Sequence, residues 1–272
     1  MSAFNPLELV RRAGSAGEAD VDLAGVALAL AALDHPEVEL ASYHAHLAEI
    51  AGAMREAIAR KQTPAMAARE LMAVRLGYCG DVDTYDDMAN ADLISVIDRR
   101  KGLPVTLGIL YMHALRAIRL QVFGLSLPGH FLVGFEIGGE RLALDAFNGG
   151  RIVAEAEQLE IARRVSGLKA EAAARVDWRV SDREVLVRLL NNIRLRAREQ
   201  GDAERLAQIS ERMVLLEADD AELWFDLGVG YAACERPAAA QGALARALEL
   251  GRGAPWIPEA RLLADKLKRQ LN

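Results

Sequence analysis

Between residues 105 and 147 the hydrophobic period of this chain changes from that of a helix to that of strands, and this switch constrains the fold more than any other feature. After Gly102-Leu103-Pro104, the apolar residues Leu107, Leu110, Tyr111, Ala114, Leu115 and Ile118 recur at spacings of three and four. That pattern predicts a core helix from about Val105 to Ile118. Three short runs rich in Val, Phe and Leu follow, Gln121 to Leu127, Phe131 to Ile137 and Arg141 to Phe147, separated by Pro128-Gly129 and Gly138-Gly139. They read as strands.

The flanks read as helical. Before the switch, apolar positions recur at Leu23, Val26, Leu28, Leu30 and Leu33, then at Leu47, Ile50, Met54 and Ile58, then at Met66, Leu71 and Val74. His35-Pro36 is a stop, and Gln62-Thr63-Pro64 combines a stop, an N-cap and a proline at the first helical position. His44 and His46 fall on a polar helix start and are expected to be solvated. Gly77 to Asp83 reads as a loop. Asp81, Asp83, Asp86 and Asp87 invite a calcium reading, but the glycine at the sixth loop position of an EF-hand is missing and Asp92 stands where a glutamate should close the site. Helix capping and solvation explain them instead. From Glu155 helical periodicity returns, interrupted by a possible short strand at Val176 to Val180.

In the last third, Trp224, Leu227-Gly228, Tyr231, Ala240, Leu244 and Ala247 follow the spacing of a tetratricopeptide (TPR) unit. The stretch from Leu189 to Asp219, with Gly201-Asp202-Ala203 at its turn, reads as a degenerate second unit. Two units are fewer than such arrays need to stand alone, so the tail is expected to pack on the rest of the chain, with the Trp224-Leu227-Gly228-Tyr231 ridge in its core.

Composition narrows the function classes. The chain has 272 residues, a formal charge of −6 and a pI near 5.5, and Arg99-Arg100-Lys101 is its one short basic run. Duplex nucleic acid is therefore not an expected partner. No apolar stretch reaches the length of a membrane span, and Met1 to Asp20 lacks a signal pattern, so a cytoplasmic protein is expected. The two cysteines, Cys79 and Cys234, are too few for a disulfide framework, and the five histidines show no His-x-x-x-His pair. No metal or other cofactor is expected.

A two-residue Gly138-Gly139 turn makes Ile137 pair with Glu140, and the ladder then sets Leu132 opposite Asp145 and His130 opposite Phe147. His130 and Asp145 become diagonal neighbours on one face, within side-chain reach. A carboxylate inside Leu142-Ala143-Leu144-Asp145-Ala146-Phe147 is costly unless paired, and imidazole suits it; an acid orienting a histidine base has this form. A structural hydrogen bond would look the same. A nucleophile should complete the set at a helix N-terminus, where the dipole lowers a thiol pKa. The helix after Pro104 begins Val105, Thr106, Leu107, with no cysteine.

The runs Asn90-Ala91-Asp92-Leu93, Arg99 to Leu107, Leu127 to Val133 and Leu144-Asp145-Ala146-Phe147 resemble the family known as regulator of sirC expression, with transglutaminase-like and TPR domains, over nearly the whole chain. The resemblance implies an α+β fold: a helical lead-in, a transglutaminase-like core with a central helix on a small antiparallel sheet, and an all-α TPR-like tail, divided as residues 1–180 and 183–272. It implies a Cys-His-Asp triad in active relatives. His130 and Asp145 match its histidine and acid, whereas the cysteine position falls at or beside Thr106. An internal threonine hydroxyl is a far poorer nucleophile than a thiolate. Asn90 and Arg100 match polar positions of the pattern and are candidate binding residues, Arg100 either for a carboxylate or to cap or bridge the helical lead-in. Cys79 is a possible substitute nucleophile or an ordinary semi-buried thiol, Cys234 a packing residue and His113 a boundary histidine.

Two functions remain. One is a regulatory protein-interaction protein with a degenerate triad, weakly catalytic or not catalytic, binding a protein or peptide through the TPR-like tail. The other is a papain- or transglutaminase-like amide hydrolase or acyl transferase using His130 and Asp145.

Overall fold

A computed structural model describes residues 5–17, 21–166 and 176–271. The chain divides into two compact units, Met1–Leu7 with Gly17–Leu189, and Glu8–Ala16 with Leu190–Asn272. The architecture is α+β. Helices α1 (Pro6–Ser15) to α3 are followed by α4 (Pro64–Arg69), which runs on as a π-helical turn to Arg75; α2 is Leu23–Ala32 and α3 Ala41–Ala59. Next come β1 (Cys79–Gly80), a 3-10 turn (Met88–Ala91), α5 (Leu93–Arg99), β2 (Lys101–Gly102) and α6 (Pro104–Arg116). The strands β3 (Gln121–Leu127), β4 (His130–Ile137), β5 (Glu140–Asp145) and β6 (Arg151–Ile152) precede α7 (Glu155–Ser166), β7 (Arg179–Val180) and α8 (Asp182–Gln200).

In the first unit α6 is the centre. Proline at its first position starts it, and Val105 to Met112, Ala114 and Leu115 are all buried, so it presents no polar face. A helix apolar on all sides must be covered on all sides. It packs against β3 and β4 on one side and α2 and α3 on another. Gly108 permits the approach to the sheet, since a Cβ there would lie 2.5 Å from a ring carbon of Phe131.

The main sheet has the order β6-β5-β4-β3-β7, antiparallel throughout. Gly138 and Gly139 have φ of +60° and +85°, the backbone a tight two-residue hairpin requires. The register runs from Ile137↔Glu140 to Val133↔Leu144, as the turn dictates. Because side chains alternate, Phe131 and Val133 face α6, while Leu125, Leu127, Leu132 and Ala143 pack with Val153, Ala162 and Ile161 on the α7 side.

Several expected boundaries move. The third long strand ends at Asp145, not Phe147, because the chain turns away there: Gly150 N–H bonds the Asp145 carbonyl, and Gly80 N–H takes that of Phe147. His130 therefore does not pair with Phe147. Of Val176 to Val180 only Arg179 and Val180 are strand, and the segment expected to be all loop contains β1, paired in parallel with β2. The core helix spans Pro104–Arg116 instead of Val105–Ile118.

In the second unit, helices α9 (Ala203–Leu216), α10 (Ala221–Ala233), α11 (Pro237–Leu250) and α12 (Ile257–Leu271) pack in succession. Asp202 and Asp220 cap α9 and α10 by accepting backbone N–H bonds, and Pro237 opens α11. Phe225, Ala240, Leu244, Ala247, Ala260 and Leu267 form its core, with Phe225 stacked on Trp256 at 4.9 Å. The expected ridge is buried only in part. Leu227 and Gly228 are internal, but Trp224 and Tyr231 are half-buried because each polar tip seeks a partner: Trp224 Nε1 donates to the Ala218 carbonyl at 2.8 Å and Tyr231 Oη to Glu211 at 2.6 Å. A Cβ on Gly228 would lie 2.7 Å from Leu244 Cγ. Gly228→Leu is expected to cost at least about 1–3 kcal/mol by overpacking, measured by urea unfolding of the full chain.

Candidate functional site

His130 opens β4 directly after the Pro128-Gly129 turn, and Asp145 closes β5. The register brings them together: His130 Nε2 lies 3.2 Å from Asp145 Oδ2. Asp145 is fully buried, and Asn148 serves it twice, its backbone N–H donating to Oδ1 at 3.1 Å and its amide to Oδ2 at 2.8 Å. The Arg151 guanidinium stands 3.4 Å away. Burial alone would push the Asp145 pKa up, but the bonds from His130 and Asn148 outweigh it and hold the carboxyl below its ordinary value. An ionised Asp145 makes His130 Nε2 the donor nitrogen, so that in the neutral imidazole the lone pair is on Nδ1.

His130 lines a pocket of about 330 Å³ with the Pro128-Gly129 turn, Arg151, Glu157, Ile161 and Arg164. Arg151 also pairs with Glu157 at 2.7 Å. The walls come from β6, α7 and the β3–β4 turn, and no residue of α6 lines the pocket. The imidazole can accept a proton or a hydrogen bond there, oriented by a buried carboxylate. Neither cysteine lines it.

Thr106, at the third position of α6, does not line this pocket. It has no solvent exposure, and its hydroxyl donates to the Asn90 carbonyl at 2.8 Å, which also accepts Leu103 N–H at 3.0 Å. Asn90 is equally buried, donating its amide to the Thr84 carbonyl at 2.6 Å and accepting from Arg99 at 3.0 Å. Arg99 continues to Asp81 at 2.8 Å, and Asp81 takes the Thr84 hydroxyl at 2.7 Å and its N–H at 3.0 Å. The Thr84 bonds, hydroxyl first, hold the Asp81 carboxyl at about 2. This network ties the segment before α5 over the first turn of α6. At a nucleophile position near His130, as the family resemblance implies, a Thr106→Cys thiol would gain reactivity. With Thr106 sealed, Thr106→Cys is instead expected to alkylate at least about tenfold more slowly than a free cysteine peptide, measured with iodoacetamide at neutral pH.

Arg100 adopts a left-handed conformation (φ 60°) as the C-cap of α5 and bridges to the helical lead-in. Its Nη1 donates to His46 Nε2 at 2.7 Å and to the Tyr78 hydroxyl, and its guanidinium carbon lies 4.7 Å from the Tyr78 ring centre. His46 is thus half-buried rather than solvated, whereas His44 is exposed. A polar helix start gives no sign of a partner 54 residues away. Cys79 is exposed; Cys234 is half-buried, and burial pushes its thiol pKa up. His113 Nε2 lies 2.9 Å from the Leu47 carbonyl, a boundary contact. Among the described residues, no group of three or more His, Cys, Asp or Glu side chains is placed to hold a metal ion.

Sequence reasoning missed Asn148 and Arg151. Asp145-Ala146-Phe147-Asn148-Gly149-Gly150 carries the turn residues that bring Asn148 back onto Asp145, and reading the strand on to Phe147 hid the turn.

A central buried helix on an antiparallel sheet, with a histidine and an acid on adjacent strands, is the frame of one superfamily. The pattern of the transglutaminase-like superfamily matches residues 41–191, and the chain belongs to it. It is also similar to proteins named "UPF0162 protein". The one from Xylella fastidiosa strain Temecula1 is 32% identical over 179 residues, 65% of this chain and 64% of the relative. Those from Vibrio cholerae (32% over 133 residues, 47% of this chain and 49% of the relative) and Pseudomonas aeruginosa (30% over 118 residues, 43% of each) match less of it. The chain thus spans less than two thirds of the length of these relatives. No solved structure matches it. No helix among the described residues is long and apolar enough to cross a membrane.

Proposed function

We propose that this chain is a regulatory protein-interaction protein built on a transglutaminase-like core that does not carry out covalent acyl transfer. The observation that carries the reading is the state of Thr106: this threonine, at or beside the position where the family resemblance puts the nucleophile, is fully buried, with its hydroxyl donated to the Asn90 carbonyl. An attacking group needs access and a base within hydrogen-bond reach, and Thr106 has no access. The helices from α9 to α12, with the TPR-like spacing of Trp224 to Ala247, supply the surface for a protein or peptide partner. The resemblance to the regulator of sirC expression family adds an effect on gene expression, which for an acidic chain is exerted through proteins rather than by holding DNA. Cytoplasmic residence fits this role.

The hydrogen-bonded His130 and Asp145 favour a second reading, an amide hydrolase or acyl transferase that uses this pair with Cys79 or Thr106. One experiment separates the two. The purified chain is treated with an acyl-donor glutamine peptide and, separately, with a thiol-directed activity probe, and adducts are read by intact mass and peptide mapping. The interaction reading expects no adduct above that of the His130→Ala variant; a His130-dependent adduct on Cys79 or Thr106 would establish the enzyme reading. Affinity capture with the full chain, and with Tyr231→Ala as a variant in the helical region, then tests the partner surface.

A further inference from the structure

We propose that His46, Tyr78 and Arg100 form an acid-sensitive latch on the segment that enters β1. Arg100 is the permanently charged member, and its N–H bonds end on His46 Nε2 and on Tyr78 Oη. Tyr78 Oη lies 2.8 Å from the same Nε2. A guanidinium cannot accept a hydrogen bond, so Nε2 must carry a lone pair and His46 must be neutral, with its proton on Nδ1. Nδ1 faces Glu49 Oε2 of the same helix at 3.5 Å, and Glu49 in turn meets Arg75 at 4.0 Å. The charged and titratable groups around the imidazole are therefore Glu49 on α3, Arg100 from the end of α5, Tyr78 from the β1 segment and, acting on Tyr78, Asp98. Of these Glu49 is exposed, while the His46 side chain is 11% exposed.

Adding a proton to Nε2 removes the acceptor and sets two cations 2.7 Å apart. The closed arrangement thus disfavours protonated His46, in agreement with a pKa lowered by burial first and by Arg100 second. The open arrangement restores an ordinary histidine. As pH falls below the ordinary value of 6.5, the open form binds the proton more readily and gains on the closed one. The gain ceases once pH passes below the lowered value.

Breaking the latch frees what it fastens. Arg100 also gives its carbonyl to Cys79 N–H at 3.0 Å; Tyr78 N–H bonds the Met72 carbonyl at 2.9 Å, Gly80 N–H that of Phe147 at 3.0 Å and Asp81 N–H that of Gly102 at 3.2 Å. Asp81 begins the buried network that ends on Thr106, so the latch sits at the root of the strap covering the first turn of α6.

The test is hydrogen exchange of the full chain at pH 7.5, 6.5, 5.5 and 5.0, corrected for intrinsic exchange rates, with His46→Gln beside the wild type. In the wild type, the amides of Tyr78, Cys79, Gly80 and Asp81 are expected to exchange faster at pH 5.0 than at pH 7.5, because the open form binds the His46 proton more readily than the closed one. A glutamine carbonyl accepts from Arg100 at every pH, so His46→Gln should change less than about twofold. Acceleration of equal size in His46→Gln, or none in the wild type, overturns the proposal. Should His46→Gln not fold, the imidazole titration of wild-type His46 by NMR decides: a midpoint below the ordinary value of 6.5 supports the latch, and an equal or higher one overturns it.

Discussion

Asp226→Ala is expected to be the most damaging single change in the helical region, costing about 3–5 kcal/mol. Asp226 lies inside α10 with 2% exposure, and its partner Arg194, on α8, is 8% exposed. The Arg194 Nη1 contacts Asp226 Oδ2, and Arg198 approaches the other oxygen at 3.5 Å. Removing the carboxylate strands a guanidinium that burial already disfavours, and Asn191, 2.9 Å from Arg194 Nε, cannot neutralise it. Such a loss is a large part of the stability of an ordinary domain. Urea unfolding of the full chain is the measurement. The double variant Arg194→Met with Asp226→Leu should recover most of the loss, because an apolar pair of similar volume replaces a pair whose desolvation cancels much of its attraction. If the double variant is as unstable as the single, packing at this site and not charge accounts for the effect.

The chain shows why local patterns announce some of this architecture and not the rest. The hairpin register was legible because Gly138-Gly139 leaves one geometry, and register alone carries His130 to Asp145. Core helix α6 was legible because a residue run with no polar face has no other place to go. The capping role of Asp87 was also legible, since it accepts Ala89 N–H at 2.9 Å, but Asp81, expected to be a capping or solvated residue, is 1% exposed and bound to Arg99 at 2.8 Å. What escaped were contacts made across long separations by side chains with no periodic signature. His46 with Arg100, Arg99 with Asp81 and Arg194 with Asp226 are all of this kind. Each joins a cation to a partner that the sequence places 18 to 54 residues away. Thr106 shows the same limit from the other side, since its position in the helix was legible but the Asn90 carbonyl that seals it was not.

Asp145→Ala is expected to destabilise the chain by about 3 kcal/mol, the upper end of the cost of stranding a buried hydrogen-bonding group. The carboxylate has no exposure and holds His130 Nε2, the Asn148 backbone N–H and the Asn148 amide. Its removal leaves those donors without an acceptor in a site where β5 meets the turn to β6. Acid behaviour supplies an independent sign. The folded-state pKa of Asp145 lies below its ordinary value of 3.8, so its contribution is complete above that value and is lost as pH falls from it through the folded-state pKa. The difference in unfolding free energy between wild type and Asp145→Ala should therefore stay level from pH 7 to pH 5 and shrink below pH 4. Asp145→Asn separates charge from shape. It can still accept one bond from His130 or Asn148, so it should lose less than Asp145→Ala and show no acid dependence of its own. A difference between wild type and Asp145→Ala that stays constant down to pH 3 would mean that the carboxyl has no lowered pKa in the folded protein, and one that grows as pH falls from 7 to 4 would mean that it is held protonated there. The assignment of the His130 proton to Nε2 would then fall with it.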